Sequence, residues 1–193
     1  PSAVEGAPHA PWWNYEKTEE VFGGFLGNPR AEILGYLWMY TDLVPGDVRN
    51  LLTDSVLVHL DTLPGEMDMF DLLCYQRLAQ AENFPEASKK RVLEKLLRAA
   101  PLVVTTDVDS WSSFSFKPLQ AAPHPKSPLA DVLKEDVERN LDFEIERQNS
   151  DGSWSPNWSW GDQFPEGWEK ALVEWKSWLT LETVRSLQAY GRV

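Results

Sequence analysis

Apolar positions recur at helical spacing along most of the chain. From Ala31 to Val44, Ile33, Leu34, Leu37 and Trp38 form one stripe, which Thr41 continues, and Pro45-Gly46 breaks it. Asp47 is then placed to cap a second helix, in which Val48, Leu51, Leu52, Val56, Leu60 and Leu63 recur, and Pro64-Gly65 ends it. A third helix is predicted over residues 67–81. A fourth runs from Glu86 to Ala100 and stops before Pro101, whose ring has no N–H for the helix ladder. The stretch LVVTTDVDSWSSFSF, β-branched and rich in Ser and Thr, reads as an extended segment or a functional loop. KPLQAAPHPKSP reads as a proline-rich connection. A fifth helix is predicted from Ser127-Pro128, carrying Leu129, Val132, Leu133, Val137 and Leu141 on one side. Residues 148–167 read as a turn-rich loop. The last helix covers 165–190, with a break near Thr180 and a stop at Gly191. Residues 1–29 are loop-like, with Pro1, Pro8, Pro11 and Pro29 and glycines that include Gly23, Gly24 and Gly27.

The sum is six or seven helices joined by short turns, with no alternating strand series. The predicted class is all-α, as helical hairpins packed side by side, and literal repeats along the chain are weak.

Composition narrows the function. The 193 residues suit one domain with a sizeable core. A net charge of −12 opposes nucleic acid and anionic membrane, since both need a basic face. No apolar run is long enough to span a bilayer. Cys74 is the only cysteine, which excludes an internal disulfide and suits a reducing, cytoplasmic setting. A chain that begins on Pro1, in a loop-like stretch, is expected to continue upstream. Ten tryptophans make aromatic surface a main structural or ligand-binding resource.

The segment QNSDGSW, residues 148–154, has a definite physical reading. Asp151-Gly152 is a turn, with Gly152 free to take positive φ. Gln148 ends a helix, where its amide can donate to orphan carbonyls and accept from a neighbouring helix's first N–H groups. Trp154, past the turn, can fold back over that amide, so the expected role is a brace between helix ends.

In full, RNLDFEIERQNSDGSW resembles the QW motif of the terpenoid cyclase and prenyltransferase α/α-toroid superfamily. Arg139, Phe143, Gln148, Gly152 and Trp154 match its spacing. Asn140 and Glu144 depart from the usual small and aliphatic residues. The tail WKSWLTLETVRSLQAYGR resembles the helix that follows the motif. PHAPWW and PNWSWG resemble segments of microbial prenyltransferase-like or squalene-cyclase-like proteins. The resemblance implies a partial α/α-toroid-like fold, with residues 1–193 as a single helical domain forming the C-terminal part of a longer toroid. The missing N-terminal part of that toroid would then be a partner. The resemblance also implies action on a hydrophobic isoprenoid or polyene, of cyclase, pericyclase or isomerase type, with no cofactor.

Candidate chemistry follows from that implication. TTDVDSW resembles the Asp-x-Asp-Asp acid motif of class II terpene cyclases. Asp109 matches the middle acid, Asp107 the first, and Ser110 stands where the last aspartate belongs. Such an acid must be kept protonated by burial or by a neighbouring carboxylate. The competing reading makes both aspartates loop residues that cap a turn. Asp68 and Asp71 share a helix face but lack the third acid of a magnesium motif, and Cys74 lacks a zinc-site partner pattern, so no metal is expected. For substrate contact the candidates are His9, Trp12, Trp13, Trp111, Trp158 and Trp160, as aromatic walls of a pocket. Trp168 and Trp175, at helical spacing, read as core. Two rival functions stay open: a non-catalytic helical ligand-binding or scaffold domain, and a carbohydrate-active α/α-barrel protein.

Overall fold

The computed structural model describes residues 26–162 and 164–193. His9, Trp12 and Trp13 therefore lie outside the described residues. Within them the chain is all-α, with seven helices and no strand. The helices are α1 (Gly27–Met39), α2 (Gly46–Thr62), α3 (Met69–Gln80), α4 (Glu86–Val103), α5 (Pro118–Ala121), α6 (Lys134–Glu146) and α7 (Pro165–Ala189), with a 3₁₀ turn over Val108–Ser112 between α4 and α5.

Several element boundaries correct the sequence reading. Helix α1 ends at Met39, and residues to Val44 form turns that Arg49 holds by donating to the Thr41 and Val44 carbonyls. Pro45, not Asp47, is the N-cap of α2, and Asp47 lies in its first turn. Helix α4 runs through Pro101 to Val103. A proline this near the helix end forfeits one ladder bond but leaves the preceding turns intact, and the Val104 N–H closes on Ala100. The proline-rich connection contains α5, with Pro118 at its first position. Residues 128–133 form turns, so α6 begins at Lys134, although Leu129, Leu133, Val137 and Leu141 are buried as expected. Val132 is exposed. No break occurs near Thr180, whose hydroxyl donates to the Lys176 carbonyl inside a continuous α7.

The core forms where α1 and α4 pack on α3, with α2 against α1. Close approach of α1 to α3 depends on small residues. Ala31 is fully buried, and a Cβ placed on Gly35 would lie 3.4 Å from Leu78 Cα and 3.5 Å from Ala81 Cβ. Buried polar groups then lock the helices in register. Tyr75 Oη donates to the Val56 carbonyl (3.0 Å), Trp38 Nε1 to Thr53 Oγ1 (3.0 Å), and Gln76 Nε2 to the Ala121 carbonyl (2.8 Å). Each partner satisfies a group whose burial unpaired would be costly. Burial also pushes the Tyr75 phenol well above its ordinary pKa, which keeps the donating proton in place.

Helix α7 is attached mainly by its C-terminal turns. Ser186 and Leu187 are buried, Tyr190 Oη donates to the Ala122 carbonyl (2.9 Å), and Arg192 pairs with Glu138 and Asp142. No residue from Pro165 to Leu179 is fully buried. The expectation that Trp168 and Trp175 belong to the core is corrected by this, since both are partly exposed, Trp175 by 37%.

Gly35→Leu is expected to cost about 1–3 kcal/mol in urea unfolding, because a branched side chain must wedge α1 from α3. Gly35→Ala, which adds only ordinary van der Waals contact and favours the helix, should stay within about 1 kcal/mol of the parent.

Candidate functional site

Two loops and the first half of α7 meet on one face. The first loop spans residues 105–116 and is closed at its base by the Thr105 N–H donating to the Phe116 carbonyl (2.8 Å). Asp107 caps the 3₁₀ turn, accepting from Asp109 N (3.3 Å) and Ser110 Oγ (2.6 Å). Asp107 and Asp109 are both exposed. Asp107 is thus the cap of this turn, and Asp109 stands exposed in the turn it caps, outside any buried acid site. Trp111 is fully buried. Its indole donates to the Thr105 carbonyl (2.7 Å), and its ring meets Phe143 edge-to-face at 5.4 Å. As a substrate contact Trp111 is thus corrected: it is the plug that holds the loop down.

The second loop follows the QNSDGSW turn. Gly152 takes φ +80, and the turn closes through Asn149 N to the Ser153 carbonyl (2.9 Å) and Gly152 N to the Asn149 carbonyl (2.8 Å). Gln148 is exposed, and its amide donates only to the Gly152 carbonyl of its own turn (3.0 Å). In place of the bridge expected of Gln148, Trp154 makes a shielded one, from the end of α6 to the interior of α7. This ring is 2% exposed. Its indole donates to the Glu144 carbonyl (2.8 Å), and its backbone N–H donates to Thr180 Oγ1 on α7 (3.1 Å). Arg139, another residue of the motif, lies on the surface and pairs with Asp136.

Beneath the loops, Glu144 is buried between two cations. Lys117 Nζ lies 2.9 Å from Oε1, and Arg147 Nε donates to Oε2. Both cations also lie over the Phe143 ring, at 5.4 and 5.9 Å. Burial lowers the Lys117 pKa, opposed by the attraction of Glu144. Arg147 reaches on to the Ser155 carbonyl (3.2 Å), so the buried cluster grips the start of the second loop. Sequence reasoning missed these three residues. The available signal was Glu144 itself, a carboxylate among the buried-side positions of α6, beside Phe143 and three residues before Arg147.

Asn157 joins the two loops. Its side-chain amide donates to the carbonyls of Trp111 (3.2 Å) and Ser113 (2.6 Å). The result is a continuous chain of rings across three segments. Phe114 meets Trp158 (6.2 Å, 88°), Trp158 meets Trp175 (5.3 Å, 82°), and Trp175 meets Trp178 (5.6 Å, 86°), all edge-to-face. Phe114 is 63% exposed and Trp178 52%, with Trp158 half-buried between them. Trp160 packs instead on Trp168 at 5.5 Å. Of the sequence-predicted pair, Trp158 thus belongs to the chain of rings, which Phe114, Trp175 and Trp178 complete, while Trp160 pairs with Trp168.

Two concavities lie elsewhere. An open one of about 480 Å³ between α1 and α3 is lined by Glu32, Tyr36, Met39 and Arg77, among others, and a smaller groove of about 180 Å³ lies between α1 and α2. Neither contains a sequence-predicted site residue. Asp68 caps α3 by accepting from Phe70 N (2.8 Å), and Asp71 accepts from Asn28 N (2.8 Å). Among the described residues no three His, Cys, Asp or Glu side chains converge as metal ligands, and no helix is long and apolar enough to cross a membrane. No protein-family model matches the chain, and neither the curated proteins nor the solved structures show a match.

Glu144→Ala is expected to cost about 3–5 kcal/mol in urea unfolding, since it strands the buried Lys117 ammonium. Combining Glu144→Leu with Lys117→Met should recover most of that loss, because Arg147 can turn to solvent.

Asp151 provides a pH test of the turn. Hydrogen bonds from Ser153, with Lys176 nearby, hold its carboxyl down at about 2 from the ordinary 3.8. A depressed acid favours the fold above its unfolded pKa, so this contribution is complete above pH ~4 and is lost as pH falls towards 2. An NMR titration of the Asp151 carboxyl should show the low midpoint, and Ser153→Ala should return it towards the usual carboxylate range.

Proposed function

We propose that this chain is a helical binding domain that takes a hydrophobic small molecule, of isoprenoid or polyene type, on the Phe114–Trp158–Trp175–Trp178 ridge. The observation that carries the reading is the ridge itself: four rings from three separate segments, mutually packed yet left open to solvent. An exposed apolar patch of this kind marks an interaction site more often than a packing accident. Its supports are rigid, since Asn157, Trp111, Trp154 and the Glu144 cluster are all tied to backbone or buried charge. A polyene can lie along such a ridge, covering ring faces without needing polar partners.

Binding is favoured over cyclisation. A protonating acid belongs in an enclosed, aromatic-lined site, and Asp109 is exposed on its loop. The α/α-toroid remains part of the proposal, supported by a buried Trp154 that links the end of α6 to α7 through Glu144 and Thr180. A reducing, cytoplasmic setting is also proposed. It fits Cys74, a buried thiol pushed up to about 11 by burial and by the nearby Glu32 carboxylate, and so unreactive as a thiolate at neutral pH.

Farnesol is expected to quench and shift the tryptophan fluorescence saturably, and Trp158→Ala with Trp178→Ala should weaken its binding by about tenfold or more. Both residues are partly exposed, so circular dichroism should show the fold retained. A saturable response to a soluble oligosaccharide, with none to farnesol, would instead establish the carbohydrate reading, since sugars stack on the same ring faces.

A further inference from the structure

Helix α2 carries a stripe on its outer side, away from the core, in which Val48, Leu51 and Val58 are apolar and Ser55 and Thr62 are small and polar. Its inward stripe is Thr53, Val56, Leu57 and Leu60, all buried. Outside, Val48, Leu51, Ser55, Val58 and Thr62 follow the alternating three-and-four spacing of a coiled-coil seam. Leu51 is 70% exposed and Val58 64%. Alongside runs Asp47, Asp54, Asp61, one acid every seven residues and each immediately before a seam position. Helix α1 lies alongside, and Arg30, Ile33, Leu34 and Leu37 form with Leu52, Ser55 and Val56 the walls of the groove between the two helices, which meets the seam at Ser55.

We propose that this groove receives an amphipathic helix from a partner protein, one with an apolar seam flanked by lysine or arginine. Seam spacing selects a helix as the occupant, because only a helix presents knobs at matching intervals to α2 and the α1 groove. The aspartate row selects its charge. Asp61 is already paired with Arg91, which leaves Asp47 and Asp54 to meet basic flanking residues of the incoming helix. A second copy of this chain suits the groove less well. Antiparallel pairing of two α2 seams would set the aspartate rows against each other, and parallel pairing would set them against Leu52 and His59, where no strong cation stands. The overall charge of −12 opposes self-association in either case and favours encounter with a basic partner.

The test uses a fluorescein-labelled helical peptide with leucine along its seam and lysine at the flanking positions, followed by anisotropy with the full chain. A scrambled peptide of the same composition measures attraction by charge alone, and a glutamate-flanked version measures the apolar seam alone. Saturable binding is expected for the seam peptide, at least about tenfold tighter than for either control. Leu51→Glu, at a site too exposed to disturb the core, should lower that affinity about tenfold or more. Asp47→Asn with Asp54→Asn should lower it several-fold and flatten its dependence on salt. Equal binding of the seam and scrambled peptides, or indifference to Leu51→Glu, would overturn the proposal. So would a concentration-dependent dimer in sedimentation that Leu51→Glu dissolves, because the occupant would then be a second copy.

Discussion

A carboxylate taken out of water must find cations, and Glu144 finds two. Lys117 reaches it from the start of α5, and Arg147 from the end of α6. These contacts fix where the short helix sits, where α6 stops and where the next loop begins, because Arg147 also holds Ser155. The carbonyl of the same Glu144 accepts the Trp154 indole. One residue thus organises four segments, two through its charge and two through its backbone and its neighbours. Attraction between the groups offsets their desolvation only because the geometry is close and the remaining polar atoms are bonded. The gain is positional definition more than net stability.

From that anchor the aromatic surface follows as a consequence of steric order. Trp111 and Trp154 are buried and satisfied by backbone carbonyls, while Phe114 and Trp158, a few residues past each of them, are left open to solvent. Asn157 then sets the spacing of the two loops with a forked pair of hydrogen bonds. The ridge of rings is therefore held by polar contacts that none of the rings themselves make. A mobile loop could not present four rings in mutual contact, because each would have to give up its freedom at the moment of binding.

Much of the helical architecture was legible in the chain. Periodicity located α1 to α4 and α7, and proline and glycine marked most of the stops. It placed Leu129, Leu133, Val137 and Leu141 in the core even though the first two precede the helix proper. What periodicity cannot convey is which part of a stripe is covered. Trp168, Trp175 and Ser186 lie on one side of α7, yet only the C-terminal end of that side meets the core. Loops have no period at all, so nothing in TTDVDSW distinguishes the inward Trp111 from the outward Asp109. The turn at Gly152 and the bracing role near it were readable from local chemistry. Assigning the brace to Gln148 failed because a helix-end amide can be satisfied by its own turn, and here it is.

Helix α7 is in effect a cantilever. Its root is clamped by Leu187, Tyr190 and Arg192, and farther out it is stayed by the Trp154–Thr180 bond and by the Lys176–Asp151 pair. Beyond those stays, among the described residues, the outer turns bear mainly on aromatic neighbours. Stability along a single rod then falls from root to tip, and the tip can open without the core opening with it. Anything that settles on the outer rings acts at the far end of the lever. It can damp that end while leaving the root almost unaltered, so occupancy of the surface would be recorded as a change in stiffness before any change in shape.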